Sequence, residues 1–228
     1  GALDIAAGTG GDILQGGALG GVTMEIANNK DVSIQANKLV LSVAGGEGTE
    51  AHGCGGAVFG NDVRIVNNED VVFQGNRLSV TSADGGDALG AAVGALNSIT
   101  IAGNDSVTFR NNCVYASFKD GEAYYLESIG MKTDYKGVLN VSAGANSTVT
   151  FYDPINVDCA VSINAPYTNA AGTTEQAAGD VIFSARNVLE DLTAFKAEGA
   201  NPEEANPTAP SAEEVTLSST SLALGVTT

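Results

Sequence analysis

The stretch "IVNNEDVVFQGNRL" at Ile65–Leu78 decides the fold, because similar fourteen-residue sequences occur three times in the chain. The other two copies read "IANNKDVSIQANKL" at Ile26–Leu39 and "IAGNDSVTFRNNCV" at Ile101–Val114. Each copy contains a closing asparagine, at positions 37, 76 and 112, so the repeat period is 39 residues (37 to 76) and then 36 residues (76 to 112). Periods of this length are typical of solenoids, propellers and other repeat architectures.

Apolar and polar residues alternate inside each copy, as in short strands with one buried face. In the second copy Ile65, Val71 and Phe73 share one face of their runs. The pairs "NN" and "GN" break the runs, and Asn and Gly adopt turn conformations at little steric cost. Each repeat therefore predicts strand, turn, strand, turn, strand and then a longer loop.

The repeat predicts an all-β, parallel β-helix (solenoid) with inserted loops. A propeller is disfavoured because the chain has no Trp and three repeats are too few to close a ring. A solenoid tolerates loops of unequal length at one corner. The three loops read "AGGEGTEAHGCGG" from Ala44, "SADGGDALG" from Ser82 and "SFKDGEAYYLESIGMKTDYKG" from Ser117.

The closing asparagines, Asn37, Asn76 and Asn112, are predicted to form a ladder. An Asn side chain carries both donor and acceptor groups, so stacked asparagines can bond one another and the buried turn backbone. The alternative is that each is an exposed turn residue.

The chain after the third copy divides into three parts. The β-helix is predicted over residues 1–184, and a more loosely patterned rung replaces the Asn by Asp-Pro in "VTFYDPI". Residues 185–214 are predicted to form an acidic helix/loop insertion, because Val188, Leu192 and Phe195 have near-helical spacing and acids and prolines follow. Residues 215–228 are predicted to return as terminal strands of the solenoid. The opening "GALDIAAGTGG" indicates a fragment or a processed chain.

Composition narrows the classes of partner. The net charge of −17, from 27 acidic and 10 basic residues, disfavours nucleic acid and anionic lipid, whereas it suits solubility, cations or basic partners. No apolar run approaches the ~20 residues of a membrane-spanning helix. Three cysteines, Cys54, Cys113 and Cys159, are compatible with one disulfide and a free thiol or with three buried thiols.

The sequence favours a chain without catalytic, cofactor or metal residues. The candidate acids of a glycosidase-type pair are Asp62, Asp70, Asp84, Asp87 and Asp105. Asp70 repeats the position of Asp31, which indicates turn chemistry instead of a unique site. His52 and Cys54 lack the further ligands of a zinc site, and the glycine-rich loops lack the full calcium-binding nonapeptide.

The long loop after the third copy is the candidate site of recognition. It holds Tyr124, Tyr125, Tyr135 and Lys132, and it is the most basic and aromatic segment of the chain. Tyrosines supply rigid amphipathic contact area at interfaces. The alternative is that this loop packs on the flank of the solenoid.

Several motifs resemble those of the polymorphic outer-membrane proteins first known from chlamydiae. The "GGA[LV]" motif stands at positions 16–19 and 55–58, and the "FxxN" motif at 73–76 and 109–112. The first tetrapeptide has Ile34 instead of Phe, and the third glycine motif reads "GAAV". "VTFYDPI", "GDVIFSARNVLEDL" and "VTLSSTSLALGVT" resemble the middle region of that family, with "FSA" for the usual "FSG". The resemblance extends over about residues 11–226.

The resemblance implies a right-handed parallel β-helix that is an autotransporter passenger on the extracellular face of the outer membrane of a Gram-negative bacterium. In that family a signal peptide precedes the passenger and a membrane β-barrel follows it, so contact with the membrane is expected only through that barrel. The expected function is a non-enzymatic adhesin or structural stalk whose partner is a host-surface protein or glycan. The alternative is a carbohydrate-active β-helix enzyme, a lyase or hydrolase. The oligomeric state is left open.

Overall fold

The protein is an all-β solenoid with parallel strands stacked in about four turns, which confirms the predicted fold class. The structure is a computed structural model that describes residues 2–7, 13–15, 19–43, 51–54, 56–82, 84–131, 137–184, 214–218 and 222–224, with side chains described in 19–42, 56–82, 84–131 and 137–183. No helix occurs in this described part of the chain. The predicted short helix near 188–195 and the acidic insertion fall outside it.

Two sheets form the body of the solenoid. The long sheet has eight strands: β3 (Leu19–Ala27), β7 (Val58–Val66), β11 (Val93–Ala102), β15 (Ile129–Met131), β16 (Val138–Ser142), β18 (Ile155–Val157), β19 (Ala160–Ile163) and β24 (Leu222–Leu224). The second sheet has six strands: β4 (Asp31–Gln35), β8 (Asp70–Gln74), β12 (Ser106–Arg110), β17 (Thr148–Phe151), β22 (Asp180–Ser184) and β23 (Glu214–Ser218).

Two further sheets form a side arm. The arm sheet contains β1 (Ala2–Ala7), β5 (Lys38–Val43), β9 (Arg77–Ser82), β13 (Cys113–Phe118) and β14 (Gly121–Leu126). The return sheet contains β2 (Ile13–Gln15), β6 (Ala51–Cys54) and β10 (Gly86–Leu89). The first two of the loops named from the sequence also contain strands, since β6 and β10 lie in them and pair in parallel. These four-residue, glycine-containing runs show no alternation of apolar and polar residues, so the strands are not evident from the sequence; they form by pairing with the neighbouring turn.

The body and the arm have separate apolar cores. In the body, inward-facing residues repeat in register, and the rings of Phe73, Phe109, Phe151 and Phe183 stack with centroids 4.8–5.0 Å apart and nearly parallel planes. Phe73 is fully buried, as its place in the alternation predicts. In the arm, Leu39, Leu78 and Val114 face Ala88 of the return sheet. Each copy of the repeat thus supplies one layer to both cores.

The predicted asparagine ladder lies at the corner between the second sheet and the arm sheet. Asn37 Nδ2 donates to Asn76 Oδ1 (3.0 Å), and Asn76 Nδ2 donates to Asn112 Oδ1 (2.8 Å). Asn112 Nδ2 donates in turn to Asp153 Oδ2 (2.9 Å). Asp153 also accepts the backbone N–H groups of Asn111 and Asn112, so it closes the ladder as an acceptor.

A second ladder, which the sequence reasoning missed, lies at the corner between the two body sheets. Asn29 Nδ2 donates to Asn68 Oδ1 (2.9 Å), and Asn68 Nδ2 donates to Asn104 Oδ1 (2.8 Å). The residues just before them, Asn28 and Asn67, have left-handed backbone conformations. The "NN", "NN" and "GN" pairs have the same 39- and 36-residue spacing as the first ladder, so the signal was present but was interpreted only as turn chemistry.

Glycines lie where the body and the arm meet. A Cβ on Gly56 would overlap the backbone of Ala91 in the next turn, and a Cβ on Gly130 would overlap Leu89 and Gly90. Gly90 also has a φ of +75°, which other residues rarely adopt. The glycine motif therefore marks the close approach of neighbouring turns.

The last strands run against the direction of the solenoid. β23 pairs antiparallel with β22, and β24 pairs antiparallel with β19. These terminal strands join the two body sheets, and they cover the last rung instead of extending the parallel stack.

Candidate functional site

The third turn departs from the others at the arm. In the two earlier turns the chain leaves along the arm sheet and returns through the return sheet. In the third turn β13 reverses after Phe118 and pairs antiparallel with β14. Lys119 at the reversal donates its backbone N–H to Asp84 O (2.7 Å), and its Nζ lies 3.6 Å from Asp84 Oδ1. β14 therefore covers the edge of the arm sheet that a fourth parallel strand would otherwise extend.

This hairpin presents two tyrosines side by side. Tyr115 and Tyr124 are directly opposite each other in the β13–β14 register, and their ring centroids are 4.4 Å apart with planes inclined by 32°. The Arg77 guanidinium carbon lies 5.9 Å from each ring centroid. These three residues are named the Tyr–Arg cluster. All three side chains are partly exposed.

The electrostatics of the Tyr–Arg cluster are those of a cation held beside aromatic rings. Burial raises the pKa of Tyr124 above its ordinary value, the neighbouring Tyr115 raises it further, and the positive charge of Arg77 lowers it. A guanidinium within about 6 Å of an aromatic ring is attracted to the ring quadrupole. The arrangement presents two hydroxyl groups and flat apolar rings in a fixed orientation.

The other tyrosine of the same strand is structural. Tyr125 points to the opposite face of β14, packs against the arm core and donates its hydroxyl to Ala88 O (2.6 Å). Of the predicted recognition residues, Tyr124 and Tyr125 thus lie on different faces. Lys132 and Tyr135 lie outside the described residues. Tyr115 was missed because it lies on β13, just before the long loop, and Arg77 was missed because it lies one repeat earlier in the chain.

Just after the hairpin, Glu127 is buried at the junction of arm and body. The residue is 3% exposed, and Oε1 accepts the backbone N–H of Gly90 at 2.6 Å. Burial raises the pKa of Glu127 from 4.5 to about 7, and hydrogen bonds from Gly90 and from the Asn156 side chain oppose the rise. Its backbone also holds the junction, since Ala91 N donates to Glu127 O (3.1 Å). Glu127 belongs to no periodic pattern in the sequence.

The buried groups near Glu127 do not form a nucleophilic site. Ser128 Oγ donates to Pro154 O (3.1 Å), and the Asp153 carboxyl group is occupied by the ladder. Burial raises the pKa of Cys113 to about 12, so its thiol is protonated and unreactive at neutral pH. Cys113 and Cys159 are free and buried, and Cys159 Sγ lies 3.9 Å from Met131 Sδ. The side chain of Cys54 is outside the described part.

The candidate acids of a hydrolytic pair lie on different elements. Asp62 is on β7 and accepts the Ser98 hydroxyl at 2.6 Å, whereas Asp70 begins β8 and is exposed. Asp84 and Asp87 belong to the arm, and Asp105 lies in the turn before β12. Within the described residues no group of three or more His, Cys, Asp or Glu side chains is arranged to hold a metal ion.

The described residues also contain no helix that is long and apolar enough to cross a membrane. Comparison of the chain with protein-family models, with curated protein sequences and with solved structures gives no match. The surface that combines aromatic rings, a cation and a fixed geometry is the Tyr–Arg cluster, and it is the candidate functional site.

Proposed function

We propose that the protein is a non-enzymatic passenger segment of an autotransporter on the surface of a Gram-negative bacterium. In this proposal the solenoid is a stalk and the last hairpin of the arm is an adhesive element for a host-surface protein or glycan. The observation that carries it is the Tyr–Arg cluster, which breaks a repeat that is otherwise devoted to stacking.

The motif residues support a structural role for the repeat itself. Phe73 and Phe109 of the tetrapeptides belong to the aromatic stack, Asn76 and Asn112 belong to the ladder, and Gly56 lies against the next turn. These side chains are buried and already occupied by one another. Recognition of a partner is therefore assigned to residues that the repeat does not use.

The Tyr–Arg cluster has the chemistry of a binding patch. Tyr and Arg are enriched among the residues that dominate the binding energy of interfaces. Two rings at 4.4 Å also offer adjacent apolar faces to a sugar ring or an extended peptide, and the hydroxyl groups supply hydrogen bonds. A strongly acidic chain limits non-specific attraction to anionic surfaces, so contact depends on this local patch.

The test is binding of the full chain to immobilised host-cell surface and to a glycan array. Tyr115→Ser combined with Tyr124→Ser is expected to abolish binding. Tyr125→Phe is the matched control, because it removes a hydroxyl from the opposite face of the same strand and leaves the cluster intact. Equal loss in both variants would indicate damage to the hairpin and would remove the support for a binding patch.

Other results distinguish the remaining functions. If the unaltered chain binds none of these surfaces, the stalk role stands alone and the adhesive role is rejected. Cleavage of a glycan by the wild-type chain, lost on Asp70→Asn or Asp87→Asn, would replace the proposal by the carbohydrate-active enzyme.

A further inference from the structure

The third turn places a carboxylate at a position where the earlier turns have small residues. Strands β7, β11 and β15 begin at register partners, and the residues two positions before these starts are Gly56, Ala91 and Glu127. Ala91 N donates to Glu127 O, so this position of the third turn lies against the same position of the second. A Cβ on Gly56 would already overlap the backbone of Ala91. Glu127 thus puts an ionisable side chain where neighbouring turns approach closely.

Glu127 connects the last hairpin of the arm to the return sheet and to the body. Its carboxylate accepts the N–H of Gly90, which follows strand β10, and a hydrogen bond from the side chain of Asn156 on β18. Its backbone N–H donates to Asn112 O (2.9 Å). One side chain therefore holds three parts of the chain together directly after β14.

The Glu127 carboxylate has no positively charged partner. Among the described residues no cation forms an ion pair with it, and the residue is almost completely buried. A buried carboxylate without a cation is stable in the protonated form, whereas the ionised form requires water. The junction is close-packed, because a Cβ on Gly130 would overlap Gly90. Water therefore reaches the carboxylate only when the junction opens.

We propose that Glu127 is a pH-operated latch between the last hairpin of the arm and the body. The protonated side chain keeps the junction closed, since it can accept from Gly90 and donate its hydroxyl to the Asn156 amide oxygen. The ionised side chain is hydrated by a local opening in which residues 125–128 move away from the return sheet. This opening breaks the hydrogen bond to Gly90 and the bond from the Tyr125 hydroxyl to Ala88 O, and it releases β14.

The other charged and titratable groups around the junction come from every element packed there. They are Asp87 of β10, Tyr125 of β14, Cys113 of β13, Arg77 of β9 and Asp153 of the turn before β18. Burial raises the pKa values of Tyr125 and Cys113 above their ordinary values, so both stay neutral near pH 7. Asp153 accepts the N–H groups of the ladder. The charge of Asp87 reaches Tyr125, so Asp87 is the second acid that an experiment has to test.

The direction of the pH effect follows from the two environments of the carboxyl group. The pKa of Glu127 is about 7 in the closed junction, and it returns toward 4.5 when the group meets water. The open state therefore binds the proton less tightly, and opening becomes more frequent as pH rises through this range. The difference corresponds to an opening constant that increases roughly 10- to 100-fold from about pH 5 to pH 8.

The test is hydrogen exchange of the full chain, followed by mass spectrometry, from about pH 5 to pH 8 for wild type and Glu127→Gln. Comparison at equal pH cancels the pH dependence of intrinsic exchange. Residues 86–91 and 121–128 of wild type are expected to lose protection relative to the variant by roughly 10- to 100-fold as pH rises. Residues 106–110 are expected to keep theirs. The hairpin of β20 (Tyr167–Thr168) and β21 (Thr174–Glu175), whose Tyr167 ring lies beside Gly103, is the second reference.

Two further variants assign the pH response to one carboxyl group. Glu122→Gln makes the same chemical change at the exposed end of β14, and it is expected to behave like wild type. Asp87→Asn removes the second acid that acts on Tyr125 and is also expected to keep the response. Loss of the response in Glu127→Gln alone supports the latch.

Three results would overturn the latch. The first is an equal response to pH in wild type and Glu127→Gln. The second is a loss of protection that includes residues 106–110 to the same extent, because this would be unfolding of the whole chain. The third is loss of the response in Glu122→Gln or Asp87→Asn.

The latch also regulates the Tyr–Arg cluster, because β14 carries Tyr124, and this consequence rests on the proposed function. Wild type is expected to bind the host-cell surface more tightly at about pH 5.5 than at pH 8, and Glu127→Gln equally at both. Binding by wild type that is equal at both pH values would overturn this regulation. If the exchange result holds and no surface is bound at either pH, the adhesive function is rejected and the latch stands.

Discussion

Replacing Glu127 by Gln is expected to remove the pH dependence that this buried acid imposes on the free energy of unfolding. The pKa of Glu127 is raised from 4.5 to about 7 in the folded protein, so the folded state holds the proton more tightly than the unfolded state does. Between these two values the unfolded state is ionised while the folded state is protonated, and the free energy of unfolding falls as pH rises. Above about pH 7 the loss is complete.

The magnitude follows from the difference between the two pKa values. Each pKa unit corresponds to about 1.4 kcal/mol, so ionised Glu127 costs the folded state about 3 kcal/mol above pH 7. Tyr125 does not titrate in this window, because burial and the charge of Glu127 raise its pKa above the ordinary value of 10. Gln keeps an oxygen that can accept the Gly90 N–H and carries no charge, so it removes the cost without removing the hydrogen bond.

The assay is urea unfolding of wild type and Glu127→Gln at a series of pH values from about 4.5 to 8, followed by circular dichroism. The variant is expected to be equal to or less stable than wild type at the acidic end and more stable, by up to about 3 kcal/mol, at the alkaline end. The difference between the two proteins cancels the titration of the other carboxylates. A difference that stays constant within about 0.5 kcal/mol, or that favours wild type as pH rises, would refute the reasoning.

Three further changes test the solenoid itself by the same unfolding measurement. Asn76→Ala should lower the free energy of unfolding by about 2–4 kcal/mol, because Asn76 is completely buried and is hydrogen-bonded to Asn37, Asn112 and Ile34 O. An effect below about 0.5 kcal/mol would contradict the ladder. Phe109→Ala, in the middle of the aromatic stack, should cost about 3–5 kcal/mol, and a cost no larger than that of Phe183→Ala at the partly exposed end would count against stacking. Ala36 has a φ of +51°, so Ala36→Gly should stabilise by up to about 1 kcal/mol, and a clear loss of stability would contradict the assigned strain.

The rung could be predicted from the sequence because its signals are local. Phe73 and Asn76 recur at fixed spacing, and alternation tells which residues face inward, so the parallel stack, its core and the first ladder follow from one window of the chain. The return strands β6 and β10 escaped because four residues with glycine carry no alternation. β6 and β10 are stabilised by pairing with strands of neighbouring turns, and those strands lie more than 30 residues away in the sequence.

The candidate site could be predicted only in part, because it depends on a departure from the repeat. Alternation predicts that Tyr124 and Tyr125 lie on opposite faces of a strand. It does not predict that this strand reverses direction and pairs antiparallel with β13. That reversal brings Tyr124 to Tyr115 and both to Arg77, which lies 38 residues before Tyr115 in the chain. Glu127 is likewise buried by the junction of arm and body and not by its own sequence neighbours.

The acceptor at the end of the first ladder has a consequence for how the chain finds its correct pairing. Because the repeats are nearly identical in sequence, a strand can pair with the wrong turn and still contact an aromatic ring and an asparagine. Such mispaired stacks compete with the native fold. Asp153 removes this degeneracy at one point, because its carboxylate has no amide hydrogens to hand to a later rung. Asp153 therefore fits only the last position of the ladder. Once Asn112 is bonded to Asp153, Asn76 bonds to Asn112 and Asn37 bonds to Asn76, so the position of Asp153 determines which turn each strand joins.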